Sequence, residues 1–407
     1  MAIGPGTAPR HHVAVRPITT LLLTLLLAAC SAAPAAATPP PAVTAPPDAT
    51  PRPMPTQLAG KARLEPSSGT YFGMNLDWDS ESIASVTKRL QRTPSVWVQF
   101  VAFPLTADGR QHLDEFIGQV ADAHAMALIT LEPNDGLDKV TDAAIADFAS
   151  LLKAYADRGV PSFVRFAHEM NGSWYAWSQQ PSAYVDAFQR LATAVHAATP
   201  YAAMVWAPNY GAGYPFAGGR HEAHPGSADF ALLDTNSDGS LSAADDPYAP
   251  YYPGDDAVDW VGMSLYQWGN AYPWGENELP EADAFVARLT GTYRGANGDE
   301  SAVPDFYASY VEAHDKPMAI TETAILYDPA GPGPAEAELK GAWWRQVFAP
   351  AVRERFPRIG MINWFEWRKQ EAEVGRMIDW RISADPALAR SLLDEVPSGW
   401  LRFAPAP

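Results

Sequence analysis

A single cysteine, Cys30, is all the thiol this 407-residue chain carries, so no intramolecular disulfide can brace it and its fold must rest on a buried core. Charged residues are also sparse, at 19%, and acids outnumber bases, giving a formal charge of −18. That balance argues against nucleic acid as a partner, against docking of the folded part on anionic lipid, and mildly against polyanionic substrates. There is no self-similarity at a period of roughly 20–50 residues, which disfavours a solenoid or propeller. No G-x-S-x-G elbow supports a serine esterase, and no H-E-x-x-H supports a zinc hydrolase; His221-Glu222-Ala223-His224 reads as a surface loop. The first strand-like run leads into FGMNLDWDSES, which lacks the glycine-rich phosphate loop of a doubly wound sheet.

Long apolar runs are nearly absent too. The one at the N-terminus, LLLTLLLAAC, follows basic charge between His11 and Arg16 and is too short to span a bilayer, so residues 1–29 read as a secretory signal. It ends Leu27-Ala28-Ala29-Cys30, which resembles the lipobox of bacterial lipoproteins and implies acylation of Cys30. Residues 30–57 are rich in Pro, Ala and Thr, cannot form a core, and are expected to act as an extended tether. The expected protein is exported and held by its lipid to the cell envelope, at the outer membrane or outer cell surface, touching the membrane only there. A monomer is expected.

What the remaining chain has is rhythm. From Tyr71 onward short β-rich runs alternate with longer amphipathic ones, at 71–78, 95–103, 126–133, 162–169, 202–210, 259–268, 317–324 and 358–367. Between them lie helical stretches such as TDAAIADFASLLKAYADRG, which opens on a Thr/Asp cap and ends on glycine. Eight βα units predict a (β/α)8 barrel over residues 58–407, with an insertion at 211–258 after the fifth strand.

In such a barrel the functional site lies at the C-terminal ends of the strands. Those ends carry Asn75, Asp77 and Trp78, then Glu132, His168 and Glu169, Asn209 and Tyr210, Tyr266 and Trp268, Glu322, and finally Trp364, Glu366 and Trp367. Carboxylates for chemistry beside aromatics for sugar C–H faces suit a carbohydrate site. Glu169 and Glu322, on the fourth and seventh strands, would face each other across the mouth as the carboxyl pair that glycoside cleavage needs. Glu169 sits among Phe166, Met170, Trp174 and Trp177, which should raise its pKa by desolvation. Glu322, between Thr321 and Thr323 with Tyr266 and Arg165 expected across the barrel, should favour the anion. Glu132 and Glu366 are divided between sugar-hydroxyl ligands and structural roles.

The stretch Arg165-Phe-Ala-His168-Glu169-Met170-Asn171-Gly172-Ser-Trp174 resembles the acid/base segment of glycoside hydrolase family 26, retaining β-glycanases best known as β-mannanases. The resemblance implies Glu169 as acid/base and Glu322 as nucleophile, with Arg165 and His168 orienting the carboxyl groups and Trp174 lining the cleft. It also matches Tyr266 to the family's strand-six tyrosine and Trp367-Arg368 to its strand-eight Trp-Arg. Substrate contacts are expected from Arg165, His168, Asn171, Trp174, Tyr266, Trp367, Trp78 and Glu132. The family's range leaves β-1,4-mannan first, with β-1,3-xylan, mixed-linkage β-glucan and the producer's own exopolysaccharide open. A glycan-binding lipoprotein without turnover is the alternative of another class. No cofactor is expected for catalysis.

Within the insertion, DTNSDGSLSAADD places Asp234, Asn236, Asp238, Gly239, Ser240, Ser242 and Asp245 at positions 1, 3, 5, 6, 7, 9 and 12 of an EF-hand loop. Asp245 replaces the usual glutamate, as in dockerin-type loops, and DPYAPYYPGD is ill suited to a second helix. A single structural calcium held by Asp234, Asn236, Asp238, Ser240 and Asp245 is the expectation.

Overall fold

In the computed structural model, residues 54–396 and 399–405 are described. The expected secretory signal, Cys30 and the expected tether before Met54 lie outside the described residues.

All eight expected strands form. They are β1 (Thr70–Leu76), β2 (Val96–Ala102), β3 (Met126–Glu132), β4 (Ser162–Phe166), β5 (Ala202–Trp206), β6 (Trp260–Ser264), β7 (Met318–Thr323) and β8 (Ile359–Glu366). Each pairs in parallel with its successor, and β8 closes on β1 with Tyr71 opposite Met361 and Leu76 opposite Glu366. The closed sheet is a (β/α)8 barrel. The short strand Leu401–Arg402 adds beside the start of β1, where the Trp400 indole donates to Thr70 Oγ1 at 3.0 Å.

Strand alternation builds two cores. Val96, Val98, Met126, Leu128, Phe163, Val205, Trp260, Ala319 and Met361 fill the barrel interior, whereas Trp97, Ile129, Phe166, Met204, Met263, Ile320 and Trp364 face the helices. The helix Asp142–Asp157 is capped by the Thr141 hydroxyl, which accepts from Ala144 N–H, and is followed by Gly159 at φ +81. The helix Pro181–Ala198 opens with proline at its first turn, where a missing N–H costs nothing.

The insertion folds around one short helix, Ala228–Leu233, and a 3-10 turn, Ala249–Tyr251. The loop from Asp234 to Asp245 closes on its own backbone: Asp234 accepts from the N–H groups of Asp238 and Gly239 at 3.0 and 2.8 Å, and Asp245 from that of Ser242 at 2.9 Å. Among the described residues no three His, Cys, Asp or Glu side chains gather as a metal would require, so the expected calcium ligands are not brought together as a carboxylate cluster. Among the described residues, also, no helix is long and apolar enough to cross a membrane.

Candidate active site

The inward-facing positions change character as the strands rise. Met126 and Leu128 give way to Thr130 and Glu132 on β3, Phe163 to Arg165 on β4, and Trp260 to Ser264 and Tyr266 on and after β6. At the top, Arg165 is fully buried and donates through Nη1 to Glu322 Oε1 and through Nη2 to Ser264 Oγ at 2.8 Å. The Tyr266 hydroxyl donates to the other Glu322 oxygen at 2.6 Å. Both partners expected for Glu322 are therefore in place. A cation and a hydroxyl thus occupy separate oxygens of Glu322, as charge-assisted partners of a carboxylate do.

Glu322 reaches the interior by a break in register. Ala319 faces inward and Ile320 outward, so plain alternation would turn Glu322 toward the helices. Pairing with β6 slips between Met263 and Ser264, where Ser264 stands opposite Glu322. Pairing with β8 slips as well, setting Trp364 opposite Thr323. This bulge re-aims the glutamate. Thr323 then points outward, donating to Leu265 O at 2.8 Å and accepting from the Trp343 indole at 3.0 Å.

Glu169 arrives by a different irregularity. β4 ends at Phe166, and both Ala167 (φ +46) and Glu169 (φ +52) adopt left-handed backbone, a conformation costly for any side chain with a Cβ. The turn is pinned by Glu169 N–H donating to Ala207 O at 3.0 Å. Its carboxyl group is pushed up to about 7, first by burial and then by the charge of Glu322, against the opposing pull of Arg165 and of hydrogen bonding from Ser264 and Trp174. Glu132 is likewise raised to about 7 by burial and by Glu322, opposed by Arg165. Two protonatable carboxyl groups thus share the mouth with one ion-paired carboxylate.

The other expected residues divide. Trp174 is 39% exposed beside Glu169, and its indole occupies the space a Cβ on Gly172 would need, 2.5 Å from Trp174 Cζ2. Trp367 stacks on Phe365 at 5.9 Å and donates to Asn75 Oδ1 at 3.2 Å. His168 places its Nε2 3.2 Å from the Tyr175 hydroxyl, its ring is held neutral by burial and Arg165, and its buried Nδ1 has no protein partner. Asn171, expected as a substrate contact, is corrected. It is fully buried and exchanges two hydrogen bonds with the backbone of Asn209, at 2.9 and 2.8 Å, clamping the β4 turn to the end of β5. Trp78 packs on Trp97 and Phe116 and donates to Val98 O at 2.9 Å, on the helix side of the sheet. Glu366 is fully buried and accepts from the N–H groups of Ile382 and Ser383, both at 2.8 Å, which settles its role as a structural anchor.

Two further residues belong to the site without a motif to mark them. Ser264 bridges the two carboxyl groups through Arg165, and the alternation of Trp260, Gly262 and Ser264 on one strand face is the signal that points to it. Tyr175 faces His168, with its hydroxyl kept protonated by burial and by the charges of Glu169, Glu322 and Glu132.

The fold and this constellation define a barrel protein with paired carboxyl groups at its mouth. Residues 108–226, spanning Arg165 to Trp174, match the family model described as glycosyl hydrolase family 26. Endoglucanase H of Acetivibrio thermocellus is 22% identical over 267 residues, which cover 63% of this chain and 22% of that protein's length. An endo-β-1,4-mannanase double mutant from Cellulomonas fimi has the same fold, with TM-score 0.50 and 16% identity over 83% of this chain and 72% of that one.

Proposed function

We propose that the protein is a retaining glycoside hydrolase acting on a neutral β-linked polysaccharide, with β-1,4-mannan its first substrate. The observation that carries this is the contrast between Glu169, held protonated up to about pH 7, and Glu322, paired with Arg165 and Tyr266. In the first step a Glu322 oxygen bonds to the anomeric carbon as the glycosidic bond breaks, and Glu169 gives its proton to the departing oxygen. In the second, water attacks the same carbon, yields its proton to Glu169, and frees Glu322. Because Glu322 loses its charge in the glycosyl ester, one of the two causes that raise Glu169 disappears at the moment it must act as base. Carboxyl groups and water suffice, with no cofactor.

Mannan is supported by the name of the Cellulomonas fimi protein, and β-glucan is the second substrate to try because of the Acetivibrio thermocellus one. Reducing-sugar release by residues 58–407 on galactomannan, glucomannan, mixed-linkage glucan and β-1,3-xylan tests the reading. Cleavage of one polymer, abolished in Glu322→Ala, is the expected result; full activity in that variant would sink it.

Two subsidiary proposals accompany this. Export and acylation at Cys30 rest on the run LLLTLLLAAC, and loss of palmitate labelling in Cys30→Ser is the expected result. Calcium in the 234–245 loop rests on the spacing of its oxygens and on Gly239 at φ +87 in the turn position. Asp238→Ala should lower the melting temperature in calcium to that of chelator-treated protein, and equal melting in all four conditions would dismiss the ion.

A further inference from the structure

The aromatic side chains of the cleft continue past Glu322. Tyr266, which holds that carboxylate, lies 6.3 Å from Trp268, and Trp268 packs edge-on against Trp380 at 4.9 Å. The chain then turns through Gly269 at φ +138, and a Cβ there would sit 3.7 Å from Trp274 Cε3, so the Trp274 indole lies directly over the glycine. Trp274 meets Tyr272 edge-on at 6.0 Å. Along this line exposure rises from half-buried Tyr266, Trp268 and Trp274 to Tyr272, which is 75% exposed. So exposed a ring adds little to the core.

The loop that displays these rings is firmly held. Asn277, buried, donates to Asp328 O at 2.9 Å and accepts from Asp328 N–H at 2.8 Å. Arg376, on the hairpin that follows β8, donates to Gly275 O at 2.6 Å and pairs with the buried Asp328 carboxylate at 2.8 Å. Asn270 N–H donates to Glu278 at 2.9 Å. Rings fixed in advance lose little freedom when a ligand settles on them.

We propose that Tyr272 and Trp274 form an outer sugar-binding platform, which takes the part of a neutral β-linked glycan that leaves the cleft on the side of the β6 loop. This rests on reading the site as a glycan cleft. Continuity with Tyr266 supplies the path, and amphipathic aromatic rings supply the surface for pyranose C–H faces.

The test uses the full chain in native gels containing galactomannan or mixed-linkage glucan, in wild-type and Glu322→Ala backgrounds, and kinetics on the polymer against a trisaccharide. Tyr272→Ala and Trp274→Ala should each weaken retardation and raise KM on the polymer about three- to tenfold, with kcat/KM on the trisaccharide moving less than about twofold. Tyr272→Phe, which keeps the ring, should restore the wild-type values. Unchanged retardation in Tyr272→Ala, or equal losses on long and short substrates, would overturn the platform while leaving the hydrolase reading intact. Retardation that depends on Tyr272 in a protein that cuts nothing would keep the platform and remove the hydrolase.

Discussion

The lower and upper halves of the barrel interior are made by the same strands and obey different rules. Below, Met126, Leu128, Phe163, Val205 and Met361 follow strict alternation and are buried without polar partners to satisfy. Above, the strands carry a bulge at Glu322 and left-handed backbone at Ala167 and Glu169. Buried polar atoms without a protein partner also collect there, among them Asn75 Nδ2, Thr130 Oγ1, Arg165 Nε and Asn363 Oδ1. The lower half supplies stability, and the upper half draws on it to hold conformations and charges that would not persist alone.

Substitutions can break that comparison at either end. Glu322→Ala should lower kcat by at least about a thousandfold, as loss of a covalent nucleophile implies, while leaving the melting temperature close to that of the wild type. Leu128→Ala, in the lower core, should do the reverse. It should cost about 2–5 kcal/mol in denaturant unfolding and leave kcat unchanged well below the melting point.

The pH dependence sharpens the division. Activity that needs protonated Glu169 should fall as pH rises through about 7, and Glu169→Gln should lose that alkaline limb together with most of its turnover. Stability has the same sign for a separate reason. Glu132 and Glu169 bind protons more tightly folded than unfolded, so unfolding free energy should decline between about pH 4.5 and 7. Glu132→Gln should flatten part of that decline. The smallest effect is expected from Ala167→Gly, which relieves a left-handed residue and should stabilise the protein by up to about 1 kcal/mol; destabilisation would show that the turn is not strained.

The same division explains what could be read from the chain. All eight strands were legible because their apolar alternation is regular, and Glu169 with Glu322 was legible because both stand where that alternation stops. The pairing of Arg165 and Tyr266 with Glu322 was legible from their places at neighbouring strand ends across the barrel mouth. The expected strands at 162–169, 202–210 and 259–268 nevertheless ran several residues too far, the first because nothing in Ala167 announces a positive φ. Likewise a bulge adds one residue without changing composition, so the chemistry of Glu322 called for an inward turn that strand alternation by itself would have denied it. Asn171 and Glu366 carry the groups a ligand would use, and only their neighbours show them occupied by Asn209 and the Ile382–Ser383 backbone. Trp78 follows β1 closely enough to suggest the cleft and falls on the other face of the sheet.

Glu132, Glu169 and Glu322 surround the single guanidinium of Arg165. Such a cage is an electrostatic trap for positive charge, and the trap deepens as Glu132 and Glu169 ionise above about pH 7. Iminosugars, protonated where a sugar carries its ring oxygen or anomeric carbon, should therefore inhibit better than neutral lactones of the same shape, and their advantage should widen toward alkaline pH while the amine keeps its proton.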